Sequence, residues 1–431
     1  MPNGSPRTTD RRGVPRKGLP WSISNWSRPA VLLPRGPTIW TDKWRILSMI
    51  EEGVSGTVGR LRSEVTDGLK RQFVGRDEVV DLIALAVVAG EHLFLHGPPG
   101  TAKSALIRQF ATAVQGRYFE YLLTRFSEPN EVFGPIDLVR LREGTVATVT
   151  TGMLPEAEFI FLDELFNANS AILNNLLSVL NERVYRRGAE VHSLPVLSLF
   201  SASNHLPEDD ALRALFDRFL LRCHVENLKR DAMPRLLTAG WELEGSKAHP
   251  STVTAADLRA LSQLLYKVDL SGVTERYAEV VFKVRDLGVA LSDRRAVKIL
   301  KLVAASALLC DRLHANPSDL WVFRYAWDRE EQIAPLAALI SGVLEPHAGD
   351  AEAHPLAASP ERADGEALAR ELDAAEAELK GTSGNGRLSL AAVARLRERL
   401  AEMADRAAWV NDPPARDHLI RRAAGLLETL G

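Results

Sequence analysis

Eight residues, Gly97-Pro-Pro-Gly-Thr-Ala-Lys-Ser104, constrain this chain more than any other feature. They follow His92-Leu-Phe-Leu-His96, which reads as a short buried strand, and they lead into a helix expected over Lys103 to Val114. A glycine-bearing loop between a strand and a helix turns successive backbone N–H groups toward a phosphate chain. Lys103 would then reach its β- and γ-phosphates and the Ser104 hydroxyl a magnesium ion. Where glycine normally precedes the lysine stands Ala102, which is tolerable if that residue already has helical φ/ψ, because a methyl group costs little there.

The surrounding pattern alternates strands and helices. Tyr118 to Thr124, Phe159 to Leu162, Val196 to Ser201 and Leu220 to Val225 read as four more short apolar strands. With the first they predict an α/β core with a parallel five-stranded sheet covered on both faces. Between the second and third strands, Ile136 to Val139 and Val146 to Thr150 flank Arg142-Glu-Gly144 and predict a β-hairpin. After residue 250 only helical patterns remain: Thr254 to Val268, Thr274 to Leu287, Asp293 to Asp311 and Pro317 to Asp328. Thr254 with Asp257, and Asn316 before Pro317, are their start signals. Leu368, Leu372, Ala375 and Leu379, then Val393, Leu396, Leu400 and Met403, recur at heptad-like spacing and predict a helical hairpin, packed on the body or offered to a partner. The expected organisation is a basic extension over 1–45, an α/β core carrying the phosphate loop over 46–250, a helical domain over 251–344, a linker over 345–365 and a helical hairpin tail over 366–431.

Composition removes several function classes. No window approaches the roughly 18 uncharged apolar residues of a membrane span; the richest, Val79 to Gly90, contains Asp81. Two cysteines, Cys223 and Cys310, in 431 residues exclude a disulfide framework or a Cys-rich zinc fold, and a reducing compartment fits best. Met1 to Gly36 holds seven Lys/Arg and one acid; 46 basic and 55 acidic residues remain, so the rest of the chain is at −9. That body has no cationic excess for general nucleic-acid binding. The basic segment, which together with its neighbours to residue 45 carries four of the eight tryptophans, reads as disordered. It is a plain tail, a binding arm, or sequence upstream of a true start at Met49.

The remaining chemistry lies at strand ends. Phe159-Ile-Phe-Leu-Asp163-Glu164 puts two carboxylates at the C-terminal end of an apolar strand, where open α/β sheets hold ligands. Asp163 would hold Mg²⁺ through its water shell, and Glu164 would orient and deprotonate an attacking water. Asn204 ends the next strand, where its amide can meet a γ-phosphate and that water. Arg218 follows a short helical stretch and suits a finger into a neighbouring subunit's site, or an intrachain ion pair. Arg294, at a helix start in the helical region, is a second γ-phosphate contact, and the adjacent Arg295 is expected to be solvated.

This order of motifs resembles an AAA+ ATPase. Leu122-Leu-Thr-Arg-Phe-Ser-Glu-Pro-Asn-Glu-Val-Phe-Gly-Pro135, Thr151-Gly-Met-Leu-Pro-Glu-Ala-Glu158, Ala171-Ile-Leu-Asn-Asn-Leu-Leu-Ser-Val-Leu-Asn-Glu-Arg183 and Ser292-Asp-Arg-Arg295 further resemble the RavA branch of the MoxR ATPases, over Phe73 to Asp328. Alanine before the lysine is common in that group. The resemblance implies ATP hydrolysis with Mg²⁺ held at Ser104 and Asp163, and Lys103, Glu164, Asn204 and Arg218 as catalytic residues. It implies nucleotide contacts from Val74, Gly75, Gly97, Pro98, Pro99, Gly100, Thr101, Ala102, Lys103, Ser104 and Arg294, with Phe73 near the adenine. Ile136 to Thr150 and Val184 to Ser193 would be pore hairpins. It further implies a cytoplasmic hexameric ring acting as a chaperone-like remodeller in complex assembly or metal-cofactor maturation, with a von Willebrand factor A partner. RavA proteins carry a β-rich domain after the lid, whereas Glu345 to Gly431 offers only a linker and helices. The competing readings are a nucleic-acid motor of the helix-2-insert group and a magnesium-chelatase-like motor subunit. Against the first, Arg140, Arg142, Arg183, Arg186 and Arg187 are basic but not interleaved with aromatic residues.

Overall fold

The computed structural model describes residues 56–187, 190–207, 209–228, 230–245, 250–344, 353–357 and 413–429, with scattered positions between 369 and 407. The basic N-terminal segment and Met49 lie outside the described residues.

Five strands, β1 (Leu93–His96), β2 (Tyr118–Leu122), β3 (Phe159–Asp163), β6 (Ser198–Ser203) and β7 (Leu221–His224), form a parallel sheet in the order β2-β3-β6-β1-β7. β4 (Val184–Arg187) and β5 (Glu190–Ser193) form a separate antiparallel ribbon, as expected. Each residue of β1 and β6 is buried, which the continuous apolar run of β1 encodes. In β6 the serines are accommodated by bonding: the Ser198 hydroxyl donates to the Glu91 carbonyl (2.8 Å) and Ser201 to that of Leu162 (2.9 Å). The register sets His96 opposite Ser203 and Asp163 opposite Ala202, so β1, β3 and β6 end at one level.

Among the described residues the α-helices given bounds are α1 (Asp67–Gln72), α2 (Asp77–Ala89), α3 (Lys103–Ala113), α4 (Pro129–Phe133), α5 (Leu138–Arg142), α6 (Ser170–Glu182), α7 (Asp210–Phe216), α8 (Met233–Gly245), α9 (Ala255–Leu264), α10 (Thr274–Asp286), α11 (Asp293–Leu309), α12 (Ile333–Leu344) and α13 (Pro413–Thr429). α2 is apolar almost all round because it is buried on several sides, touching β1, α9 and α11. Just past its C-cap, buried Glu91 ion-pairs with Lys298 (3.0 Å) and Lys301 (2.7 Å) of α11. Burial would raise its pKa, and the two lysines more than reverse that.

Five expectations are corrected. β6 starts two residues late, since Leu197 and Ser198 N–H groups both turn to the Glu158 carbonyl before pairing begins. The 136–150 insert is not a hairpin: Asp137 caps α5 by accepting from Val139 N (2.9 Å) and Arg140 N (3.2 Å), and only the Ile136–Thr148 bridge is β-like. The helical stretch expected to reach Asp328 is a 3-10 helix that stops at Tyr325, every residue from Ser318 on being buried around Trp321. Within the expected linker, Pro355–Ala357 is a 3-10 turn packed on that segment, with His354 stacked on Trp321 (4.6 Å) and Arg324 donating to the Leu356 carbonyl (2.7 Å). The tail is more than a hairpin, because its apolar cluster joins Leu372 and Ala375, Leu396, Leu400, Met403 and Ala407, and also Leu419 and Ala423 of α13.

A sixth correction concerns Ala102, which is left-handed (φ 62°, ψ 22°), not helical. A Cβ in that region costs about 1–2 kcal/mol. Ala102→Gly is therefore expected to raise unfolding stability by about 1 kcal/mol in urea titrations of the nucleotide-free protein, and a loss of stability would contradict the strain.

His92 is fully buried; the Leu199 N–H donates to its Nδ1 (3.1 Å) and its Nε2 faces the Leu180 carbonyl (3.2 Å), which fixes the neutral ring. Burial pushes its pKa from 6.5 down to about 4. The unfolded chain takes up this proton below about 6.5 and the folded one does not. This contribution is thus complete above 6.5 and lost as pH falls toward 4, by on the order of 3 kcal/mol. The His92 C2 proton in NMR is expected to stay untitrated down to about pH 5; an ordinary midpoint near 6.5 would contradict this burial.

Candidate active site

The loop between β1 and α3 is closed against the sheet. A Cβ on Gly97 (φ 149°) would lie 2.0 Å from the Val225 carbonyl oxygen, and Gly97 N–H donates to the Ser203 carbonyl (3.2 Å). Only glycine permits that approach. Thr101 is buried and donates to the Pro98 carbonyl (3.1 Å), while Pro99, Gly100 and Ala102 are exposed and Ser104 is half-buried in the first turn of α3. The Lys103 ammonium reaches the Gly97 (2.9 Å) and Pro98 (2.7 Å) carbonyls and Thr101 Oγ1 (3.2 Å), all groups of its own loop. Burial lowers its pKa, opposed by the charges of Asp163 and Glu164. Those charges place the lysine and both carboxylates in one field.

Asp163 is half-buried, and burial raises its pKa. Glu164 turns the chain in the left-handed region (φ 52°, ψ 47°), a strain of about 1–3 kcal/mol of the kind concentrated at functional sites. Its N–H donates to Asp163 Oδ1 (3.1 Å), and its carboxylate accepts from Ser203 Oγ (3.4 Å) and Asn167 Nδ2 (3.5 Å). Asn204 follows on the same strand end, exposed. A glycine-bearing loop at a helix start, an ammonium bonded among the described residues to its own loop's oxygens, and a half-buried carboxylate whose charge it feels fit a triphosphate with a divalent cation. Ser203 has no role in the sequence reading; its place at the expected strand end, just before Asn204, was the available signal.

Val74 is buried, and exposed Gly75 (φ 67°) is approached so closely by Leu228 that a Cβ would meet Leu228 Cδ2 at 2.4 Å. Arg76 beside it donates to the Glu226 carbonyl (2.8 Å).

Arg218 and Arg294 form a second group. Arg218 pairs with Asp217 (2.9 Å), and its pKa is lowered by burial and then by Arg294. Arg294 donates to Asn181, at the end of α6. Among the described residues, no hydrogen bond or ion pair joins either arginine to Lys103, Asp163 or Glu164. Arg295 is buried, contrary to the solvated position expected, since it bonds Asp328 (2.8 Å) and the Ala326 carbonyl (2.9 Å) and lies 3.6 Å from Asp217. Buried Arg222 of β7 shares Asp328 and lies over the Phe216 ring (3.8 Å). Asp217 therefore stands between Arg218 and the buried arginine next to Arg294, a link with no sequence motif.

Comparison with known proteins agrees with this architecture. Residues 59–263 match the family profile described as the MoxR domain of MoxR–vWA–beta-propeller ternary systems, and residues 273–340 match an AAA lid domain. An uncharacterized protein of Methanocaldococcus jannaschii is 34% identical over 66% of this chain and 76% of its own. The chaperone MoxR1 of Mycobacterium tuberculosis is 27% identical over 40% of this chain and 46% of its own. A crystal structure described as a candidate ATPase, from Cytophaga hutchinsonii, superposes with TM-score 0.56 at 18% identity, covering 70% of this chain and 98% of that one, a likeness of fold. With a phosphate loop, a paired-acid strand end and a helical lid in one order, the chain belongs to the MoxR family of AAA+ ATPases.

Proposed function

We propose that this protein hydrolyses ATP and spends the energy on rearranging a protein client. The observation that carries the reading is that β1, which leads into the phosphate loop, and β3, which leads into the Asp163–Glu164 pair, end at one level, with the charges of both carboxylates acting on Lys103. In this reading the loop Gly97 to Ser104 holds the phosphates, with Lys103 exchanging its loop carbonyls for phosphate oxygens. Phe73, Val74 and Gly75 flank the base. Ser104 and Asp163 hold Mg²⁺, which when bound neutralises phosphate charge. Glu164, fixed by Ser203 and Asn167, takes the proton of the attacking water, and Asn204 orients that water.

Arg218 has no described contact with its own chain's loop, which supports a role in a neighbouring subunit of a ring, and Arg294 would contact the nucleotide as the lid closes. Remodelling is supported by the apolar surface of the insert, where Phe126, Leu138, Val139, Leu141 and Val146 are exposed. The family description supports a von Willebrand factor A partner and a place among ternary systems; RavA-branch membership is a finer proposal on the sequence words alone. Absence of any described helix long and apolar enough to cross a membrane is compatible with the cytoplasmic location proposed. A nucleic-acid motor is disfavoured, because Arg183 and Arg187 are engaged with the Gly90 and Gly134 carbonyls and Arg186 with Glu182.

Purified Glu164→Gln is expected to lose at least 100-fold of Mg²⁺-dependent ATPase activity while still binding nucleotide, and Arg218→Ala subunits mixed into wild type should depress activity more than simple dilution. Full activity of Glu164→Gln, or strictly proportional mixing, would sink the corresponding assignment.

A further inference from the structure

His96, the last residue of β1, and His224, the last of β7, stand side by side with ring centroids 5.3 Å apart. Glu330, from a 3-10 turn beyond the Pro317–Tyr325 segment, reaches them from the helical region. Its Oε1 faces His96 Nε2 directly and lies 3.8 Å from His224 Nδ1. All three ligand atoms lie within 4.8 Å of one another.

The other ring nitrogens decide what this cluster is. His96 Nδ1 meets the Ser203 carbonyl (3.2 Å), which can only accept, so Nδ1 carries a proton. His96 Nε2 in turn meets the Glu330 carboxylate, as a hydrogen bond when that nitrogen is protonated and as a lone pair facing a carboxylate oxygen when it is not. His224 Nε2 lies 3.4 Å from the Glu226 carboxylate, and its Nδ1, shut off from solvent, makes no hydrogen bond. With His96 Nε2 unprotonated, three electron-pair donors converge within 4.8 Å of one another. A proton on His96 would satisfy one ring and leave the buried His224 Nδ1 with nothing. A metal ion satisfies all three, and imidazoles whose second nitrogen is held by a carbonyl or a carboxylate are the usual outer arrangement of metal-ligating histidines.

We propose that His96 Nε2, His224 Nδ1 and Glu330 form a binding site for a divalent transition cation of the zinc class, with its remaining position open to water. Two imidazoles and one carboxylate suit Zn²⁺ or Co²⁺, and they distinguish this site from the all-oxygen environment that a magnesium ion takes. The site lies directly behind the phosphate loop, Gly97 being the next residue after His96. A cation there ties the helical region, through Glu330, to the ends of β1 and β7.

The test uses chelator-stripped, nucleotide-free full chain titrated with Co²⁺. We expect one equivalent per chain with the visible absorption of four-coordinate cobalt, displaced by Zn²⁺, and a higher Tm when loaded. Glu330→Gln and His224→Ala should each weaken binding at least 10-fold, while Asp163→Ala leaves it unchanged. Glu330 is half-exposed, so its variant keeps the test decisive if His224→Ala does not fold. No stoichiometric uptake by folded protein, or undiminished uptake by Glu330→Gln, would overturn the proposal.

Discussion

The parallel register that ends β1, β3 and β6 at one level is the constraint on which the rest of this structure depends. It sets His96 opposite Ser203 and Asp163 opposite Ala202, so the phosphate loop, the acid pair and Asn204 all emerge on the same edge. A slip of one residue in β6 would turn its side chains to the opposite face. The Ser203 hydroxyl would then leave Glu164, and the seal between Gly97 N–H and the Ser203 carbonyl would break. The local strain at Ala102 and Glu164 persists because this level is fixed by the fully buried strands β1 and β6.

A second joint transmits that edge to the helical region. Arg222 of β7 and Arg295 of α11 share Asp328, and Asp217 bridges Arg295 and Arg218. Removing one member of such a buried set leaves a charge without a partner, which costs about 3–5 kcal/mol. Glu91 with Lys298 and Lys301 forms a parallel tie at the other end of β1. Movement of α11 is therefore felt at the strand carrying the loop and at the arginine proposed to serve a neighbour.

The sheet was legible because its strands are short, apolar and separated by unmistakable helices, and the loop was legible because phosphate binding demands particular residues at particular spacing. What sequence pattern missed has physical reasons. Asp137 was read inside a strand, although an acid before Leu-Val-Arg-Leu-Arg is a helix cap whose bond outweighs β-branched propensity in an exposed insert. Arg295 was expected in water because a lone arginine usually is; only the fold brings Asp217 and Asp328 to it. The conformation of Ala102 was misjudged because residue type does not reveal φ when the loop around it over-determines the backbone. His354 and Pro355–Ala357 looked like linker composition, yet Trp321 gives them a surface to pack on.

The central claim is that the aligned strand ends and the loop before α3 make one nucleotide site. Calorimetric titration of Mg²⁺ and a non-hydrolysable ATP analogue into wild type and Lys103→Ala tests it most directly. The account predicts one binding event per wild-type chain that requires Mg²⁺ for full affinity and is weakened at least 100-fold by Lys103→Ala. Equal affinity in the two proteins would contradict it.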